Sequence, residues 1–137
     1  MLKNLFNELG KSLRRESATA QADPVEGWRA AFRGASPAQR AGLLQQLDAW
    51  LAEHPERKQG WTLRGDWRLR LGDLLGAEQD YRRALQLDPR NVAALIGRAK
   101  VRKAGGDGPG AREDLDKAIG MDPDSAEAYF VRGLTRE

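Results

Sequence analysis

The apolar residues among the first sixteen positions recur at the spacing of one helical face. Basic residues such as Lys3 and Lys11 fall outside this stripe, so the pattern predicts an amphipathic helix at the start of the chain. Small and polar residues then form a linker that ends at residue 22. The stripe consists of Leu2, Leu5, Phe6, Leu9 and Leu13.

Two further helix starts follow the linker. Asp23 and Ser36 each precede a proline, and an acid or an amide follows three residues after each of them, which is typical of a helix N-terminus. The helix that begins near Ser36 has an apolar face that includes Leu47 and Trp50. We interpret 23–57 as either a divergent repeat or a helical hairpin that caps the rest of the chain.

A pattern of apolar, small and turn-forming residues recurs at an offset of 34 positions. Leu87-Asp88-Pro89 matches Met121-Asp122-Pro123, and Gly72-Asp73 matches Gly106-Asp107. Several coincidences at one offset indicate an internal repeat. Further matches are Ala77 with Ala111, Asp80 with Asp114, and Ala84 with Ala118.

One repeat upstream, Trp50 stands where Ala84 stands in the best copy. We expect this large side chain to push the helices of that copy apart, because small residues are what allow helices to approach closely. Gly60 and Gly97 are not explained by the repeat, and Gly97 falls inside a predicted helix.

The repeat resembles the tetratricopeptide repeat, a helix-turn-helix unit of 34 residues, in its Arg-Gly variant. The best copy is 58–91, a weaker copy is 92–125, and 126–137 contains the first helix of a partial one. The resemblance implies an all-α fold in which antiparallel helical hairpins stack as a short right-handed superhelix after the N-terminal helix. The residues of the best copy that match the family are Trp61, Gly65, Gly72, Ala77, Tyr81, Ala84 and Pro89.

In this family the first helix of each repeat lines a concave groove that binds a partner's peptide. Chaperone-binding relatives carry lysine and asparagine where this chain has Thr62 and Asp66, so the resemblance does not support a carboxylate clamp. The mixture of apolar and basic residues suits a partly acidic amphipathic segment, and the alternative is an ordinary solvated helix face. By position, the groove residues would be Gln59, Thr62, Leu63, Asp66, Leu69, Arg70, Ile96, Gly97, Lys100, Lys103, Glu127, Phe130, Val131 and Leu134.

Arginines recur at two positions of the repeat, four residues apart and therefore on one helix face. Because Asp80 and Asp114 recur at the same offset, we expect Arg64 to pair with Asp80 and Arg98 with Asp114. The alternative is that the arginines bind an acidic peptide or a phosphate. The two columns are Arg64, Arg98 and Arg132, and Arg68, Arg102 and Arg136.

Composition excludes several classes of function. The 137 residues contain no cysteine, which removes disulfides, thiolate metal sites and cysteine nucleophiles. The net charge of +3 is too small to indicate an obligate nucleic-acid binder, so nucleic-acid binding is not expected. His54 is the only histidine and precedes a proline in a predicted turn, and Gly10-Lys11-Ser12 lacks the upstream glycine and strand of a phosphate-binding loop. We therefore expect no enzyme, no cofactor and no metal site.

The sequence as a whole predicts a non-enzymatic scaffold or adaptor that binds a partner peptide or helix in the groove. The alternative is a self-assembling protein that uses its N-terminal helix and a last repeat in which Tyr129, Phe130 and Leu134 are uncovered, although such an end also fits a piece of a longer protein. The N-terminal helix could cap the array, dock to another protein or, least favoured, adsorb to an anionic membrane. Since no secretory signal or bilayer-spanning stretch is present, we expect a cytoplasmic protein.

Overall fold

The computed structural model describes residues 24–134, and this part of the chain folds into seven α-helices without a β-strand. The all-α helical-repeat prediction is confirmed, whereas the predicted amphipathic helix over 1–16 lies outside the described residues. No helix between residues 24 and 134 has the length and apolarity that crossing a bilayer requires. The helices are α1 (Val25–Arg33), α2 (Pro37–Glu53), α3 (Lys58–Arg70), α4 (Leu74–Leu87), α5 (Val92–Ala104), α6 (Gly108–Met121) and α7 (Ala126–Leu134).

Short side chains fix where most of these helices begin. Ser36 caps α2 in a reciprocal capping box with Gln39, as the sequence predicts. The carboxylate of Asp73 accepts from the backbone N–H of Gly76 at the start of α4, and the amide oxygen of Asn91 accepts from that of Ala94 at the start of α5. These local hydrogen bonds fix the helix starts within one or two residues of the positions that the sequence pattern predicts.

Two helices begin one residue away from the position that the sequence pattern indicates. Asp124 has Glu127 three residues after it, as in a capping box, but the backbone N–H of Ala128 donates to the hydroxyl of Ser125, so Ser125 caps α7. Pro24 occupies the N-cap position of α1 rather than the first helical position. Both differences are shifts of one residue, which periodicity alone does not resolve.

The turns inside the two central hairpins depend on glycine. Gly72 and Gly106 have φ angles of +83° and +88°, a region that side chains with a Cβ rarely occupy. Each is followed by the aspartate that caps the next helix. The predicted Gly-Asp turn is thus confirmed in both copies.

The first hairpin is joined to the array by aromatic packing. The ring of Phe32 in α1 stacks on Trp67 of α3 with 4.5 Å between centroids and 8° between planes. The guanidinium of Arg40 in α2 lies over the same Phe32 ring, 4.6 Å from its centroid. These three side chains connect α1, α2 and α3.

Within the first hairpin, α1 and α2 contact each other less extensively than the two helices of either central hairpin, which agrees with the expectation for Trp50. Trp50 itself also packs against α3 of the next hairpin. A Cβ built on Gly60 of α3 would lie 2.6 Å from Trp50 Cζ3 and 2.6 Å from Leu51 Cδ2. Trp50 therefore fits because residue 60 has no side chain. The large residue on α2 is compensated by the smallest one on α3, which also gives Gly60 a role.

Gly97 has a similar role one repeat later. A Cβ at Gly97 in α5 would lie 2.3 Å from Cζ and 2.4 Å from Cε1 of Tyr81, whose ring is completely buried in α4. A Cβ at Gly65 in α3 would lie 2.8 Å from the same ring. Tyr81 is thus held between two glycines on neighbouring helices, a packing that a larger residue at either position would disrupt.

We expect Gly97→Ala to lower the free energy of unfolding by about 1–3 kcal/mol, because the buried Tyr81 ring has no space to move into. The matched control is Gly42→Ala in α2, where a Cβ meets no atom within 4 Å. There the higher helix propensity of alanine should raise the free energy of unfolding by about 0.5–1 kcal/mol. Urea unfolding followed by circular dichroism measures both changes, and a stabilised Gly97→Ala variant would contradict the packing described here.

Candidate partner-binding groove

The first helices of the successive hairpins form one continuous face. Helix α1 contacts α3, α3 contacts α5, and α5 contacts α7, while α2, α4 and α6 pack behind them. We call the surface of α1, α3, α5 and α7 the groove face. Two adjoining clefts open on it, and Lys100 and Glu127 line both of them.

The central cleft has a volume of about 310 Å³ and a polar lining. Asp66 lines it and accepts hydrogen bonds from the hydroxyl of Tyr81 and, at 3.3 Å, from Nη1 of Arg29. Burial raises the pKa of the Asp66 carboxyl, while Tyr81 and Arg29 oppose this shift. The cleft is lined by Arg29, Asp66, Leu69, Arg70, Ala93, Gly97, Lys100 and Glu127.

The apolar cleft lies between the C-terminal halves of α5 and α7 and has a volume of about 490 Å³. Phe130 and Leu134 are 67% and 52% exposed, which is unusual for large apolar side chains, and Val131 is buried below them. Lys103 stands at the rim, and among residues 24–134 it makes no ion pair. The lining consists of Lys100, Lys103, Ala104, Glu127, Phe130, Val131 and Leu134.

An ion pair separates the two clefts. Nζ of Lys100 donates to Oε1 of Glu127 at 2.6 Å, which joins α5 to α7 across the groove face. The side chains of Lys100 and Glu127 are 40% and 58% exposed, so this pair contributes little to stability and can open at low cost.

Ten of the fourteen residues predicted for the groove line one of the two clefts. The structure places the other four elsewhere. Leu63 and Ile96 are 0% and 3% exposed and belong to the hydrophobic core, so neither can contact a partner in this conformation. The buried hydroxyl of Thr62 donates to the carbonyl oxygen of Lys58 and accepts from the side chain of Asn91. Gln59 is exposed and lines a separate polar cleft beside the turn that ends at Lys58.

Three residues of the clefts are absent from the sequence prediction: Arg29, Ala93 and Ala104. The 34-residue offset indicated all three. Ala93 lies 34 positions after Gln59, Ala104 lies 34 positions after Arg70, and Arg29 lies two repeats, 68 positions, before Gly97 of the central cleft. Arg29 was overlooked because 23–57 was interpreted as a divergent repeat or a cap and no groove residue was assigned to it.

In the two central repeats, the arginines of both columns are bound to buried carboxylates behind the groove face. Nε and Nη2 of Arg64 donate to the two oxygens of Asp80 at 3.0 and 2.8 Å, and Nη1 of Arg68 donates to Asp80 at 3.0 Å. Arg64 also donates to Asp48 of α2 at 2.9 Å, so it connects three helices. Burial raises the pKa of Asp80, and the two arginines oppose this shift.

The second repeat has the same arrangement. Arg98 donates through Nε and Nη2 to the oxygens of Asp114 at 2.9 and 2.7 Å, and Arg102 donates to the same carboxylate at 3.0 Å. The two predicted arginine–aspartate pairs are therefore confirmed. In α7, Arg132 donates to Asp116 of α6 at 3.3 Å, and Arg136 lies outside the described residues. No described arginine of either column lines the clefts.

Residues 68–131 match the sequence pattern of the family described as Tetratricopeptide repeat. A search among curated proteins found no match for the chain. The Arabidopsis OM64 TPR domain is a similar solved structure, with 22% sequence identity and a TM-score of 0.72, and the match covers 81% of this chain and 89% of that domain.

Two further similar structures are complexes with peptides. The first TPR of Spaghetti (RPAP3), bound to the HSP90 peptide SRMEEVD, has 19% identity and a TM-score of 0.72, covering 80% of this chain and 85% of that one. The second TPR domain of human RPAP3, in complex with the HSP70 peptide SGPTIEEVD, has 16% identity and a TM-score of 0.71, covering 82% and 91%. At these identities the likeness shows a shared fold.

We expect Arg98→Glu to destabilise the protein strongly. The substitution removes a bidentate partner from the fully buried Asp114 and places a second carboxylate beside it. Breaking a buried pair in this way costs about 3–5 kcal/mol. Thermal unfolding followed by circular dichroism measures the loss. Arg112→Glu on the exposed side of α6 makes the same charge change and should alter stability by less than ~0.5 kcal/mol, and equal melting temperatures of the two variants would contradict this role.

We expect the stability contributed by Asp66 to depend on pH. Burial raises the pKa of Asp66 in the folded state, so folding favours its protonated form. This contribution is therefore complete below the pKa of the unfolded state, near 3.8, and is lost as the pH rises through the pKa of the folded state. Replacement by asparagine removes the ionisation.

The stability of Asp66→Asn relative to that of the unchanged protein should consequently be higher at pH 7 than at pH 4. In other words, the free energy of unfolding of the variant minus that of the unchanged protein should increase between pH 4 and pH 7. Urea titrations at the two pH values measure this difference. Asp124→Asn, at an exposed turn, controls for the change in net charge. A relative stability of Asp66→Asn that is lower at pH 7 than at pH 4 would show that the sign is wrong.

Proposed function

Because residues 68–131 belong to the tetratricopeptide-repeat family and the described chain has the fold of its domains, we propose that this protein is a non-enzymatic scaffold or adaptor. Its groove face binds a segment of a partner protein. Helical repeats present such faces with little rearrangement, since each helix is held by its neighbours.

One observation carries this proposal: the two clefts adjoin on the same face. Because Lys100 and Glu127 line both, a bound segment can pass from the polar central cleft to the apolar cleft without leaving the surface. Together the clefts offer apolar contacts and exposed charges, which is the combination that peptide recognition uses.

The similar structures support a peptide as the bound partner, since two of them hold peptides that end in EEVD. The residues here favour a different peptide. At the two positions where chaperone-binding relatives carry lysine and asparagine, Thr62 is buried and hydrogen-bonded and Asp66 carries a carboxylate. A negative charge at that place repels a peptide's terminal carboxylate.

Self-association is the second candidate function, and the exposure of Phe130 and Leu134 is the observation that favours it. A symmetrical contact of two such patches would bury apolar surface from both copies. It uses the same face as the partner peptide, so the two functions compete for one surface.

Selection of random twelve-residue peptides displayed on phage tests the proposal, with the whole chain immobilised. We expect selected peptides to lose binding to Arg70→Glu and Phe130→Ser, which alter one cleft each, and to keep binding to Leu75→Ser. Leu75 is the matched control because it is 69% exposed on α4, away from the groove face. Peptides that depend on Leu75 and not on either cleft would overturn the proposed function.

A further inference from the structure

We infer that the apolar cleft binds the apolar side of an acidic amphipathic segment of a partner protein, and that Glu127 competes with the acidic residues of that segment for Lys100. The inference rests on the proposed function and names the class of partner.

The apolar part of the site is preformed. Phe130 and Leu134 lie one helical turn apart, so their side chains share a face of α7, and Glu127 precedes Phe130 on that same face. Val131 and Ala104 complete the lining between α7 and α5. A cleft of about 490 Å³ with this lining accepts one or two large apolar side chains of a partner.

Charge selects which apolar segment binds. Four cationic side chains line the two clefts, and only two carboxylates do. Arg29 is engaged with Asp66 and Lys100 with Glu127, whereas Arg70 and Lys103 make no ion pair within residues 24–134. A partner segment with carboxylates beside its apolar residues therefore finds opposite charge at both ends of the groove face.

The same charges disfavour two other occupants. The first sixteen residues of this chain contain four basic residues and two acidic ones, so their apolar stripe would bring like charge to Lys103. A second copy that docked through its own apolar cleft would place the lysines of both rims opposite each other. An acidic partner instead brings opposite charge to these lysines, so the charges that repel the other two occupants attract it.

Glu127 adjusts the strength of this recognition. Its carboxylate lies 2.6 Å from Nζ of Lys100, in the place that a partner's carboxylate would take. The incoming segment must displace Glu127 from Lys100. This competition weakens the binding of acidic ligands, and the ion pair keeps the two clefts separate until a ligand binds. Loss of the Glu127 charge should consequently strengthen the binding of an acidic segment rather than weaken it.

Two designed peptides test the inference by fluorescence anisotropy with the whole chain. Both are eighteen residues long, carry fluorescein, and have leucines at i, i+3, i+4 and i+7. The first has glutamate and glutamine on its polar side, and the second has lysine in place of glutamate. We expect the glutamate peptide to bind at least about tenfold more tightly than the lysine peptide, a difference of about 1.4 kcal/mol.

Variants locate the binding site and the role of Glu127. Phe130→Ser and Lys103→Glu should each weaken the glutamate peptide about tenfold, and Glu127→Gln should tighten it severalfold. Leu75→Ser and Arg112→Glu are exposed on α4 and α6, match the first two changes in chemistry, and should leave affinity unchanged. Thermal unfolding of every variant checks that it folds; Phe130 is largely exposed and Lys103 is partly exposed.

Equal binding of the two peptides, or binding that Phe130→Ser does not weaken, would overturn the inference. So would weaker binding to Glu127→Gln, or a dimer in light scattering that Phe130→Ser dissociates, because a second copy would then occupy the cleft. If phage selection yields basic peptides that depend on Arg70 or Phe130, this inference fails and the proposed function stands. If it yields no peptide that depends on the clefts, both fail.

Discussion

The insertion of Tyr81 between two glycines is the contact on which both the stacking and the groove depend. Its ring comes from α4 and fills the space between α3 and α5, where Gly65 and Gly97 leave no room for any further atom. The hydroxyl group extends through this space to Asp66 on the groove face. Burial, followed by the charge of Asp66, raises the pKa of Tyr81, so its hydroxyl remains a hydrogen-bond donor. Asp66 of the central cleft is therefore held by a side chain of the core.

The next repeat fills the equivalent space with side chains of different sizes. Leu115 stands where Tyr81 stands one repeat earlier, and the two glycines are replaced by Ala99 and Val131. All three are buried. A smaller central residue is thus accompanied by larger neighbours, which keeps the total volume similar. The first hairpin shows an exchange in the other direction. Trp50 stands one repeat before Ala84 and Gly60 one repeat before Ala94, so a larger residue on one helix is accompanied by a smaller residue on the next. Ala84 and Ala94 share one buried cluster.

These exchanges explain what the sequence could predict and what it could not. The 34-residue offset identifies equivalent positions, so it predicted the Gly-Asp turns and the pairing of Arg98 with Asp114. It does not show which positions of neighbouring helices touch, and for that reason the contact of Trp50 with Gly60 was not predicted. Leu63 was placed in the groove by its position, and its repeat equivalents, Gly97 and Val131, do line the clefts, whereas Leu63 itself is fully buried. The offset alone therefore does not distinguish a core residue from a groove residue at this position.

The division between arginine and lysine separates stability from recognition in this chain. Arginines of the repeated columns use their planar guanidinium groups to hold buried carboxylates, as Arg64 does with two bonds to Asp80. Such a donor is already occupied and lies behind the groove face. Lys100 and Lys103 stand on that face, where one makes an exposed pair with Glu127 and the other lines the apolar rim. Because an exposed ammonium exchanges partners at low cost, the lysines can respond to an incoming acidic segment without disturbing the charges that hold the repeats together.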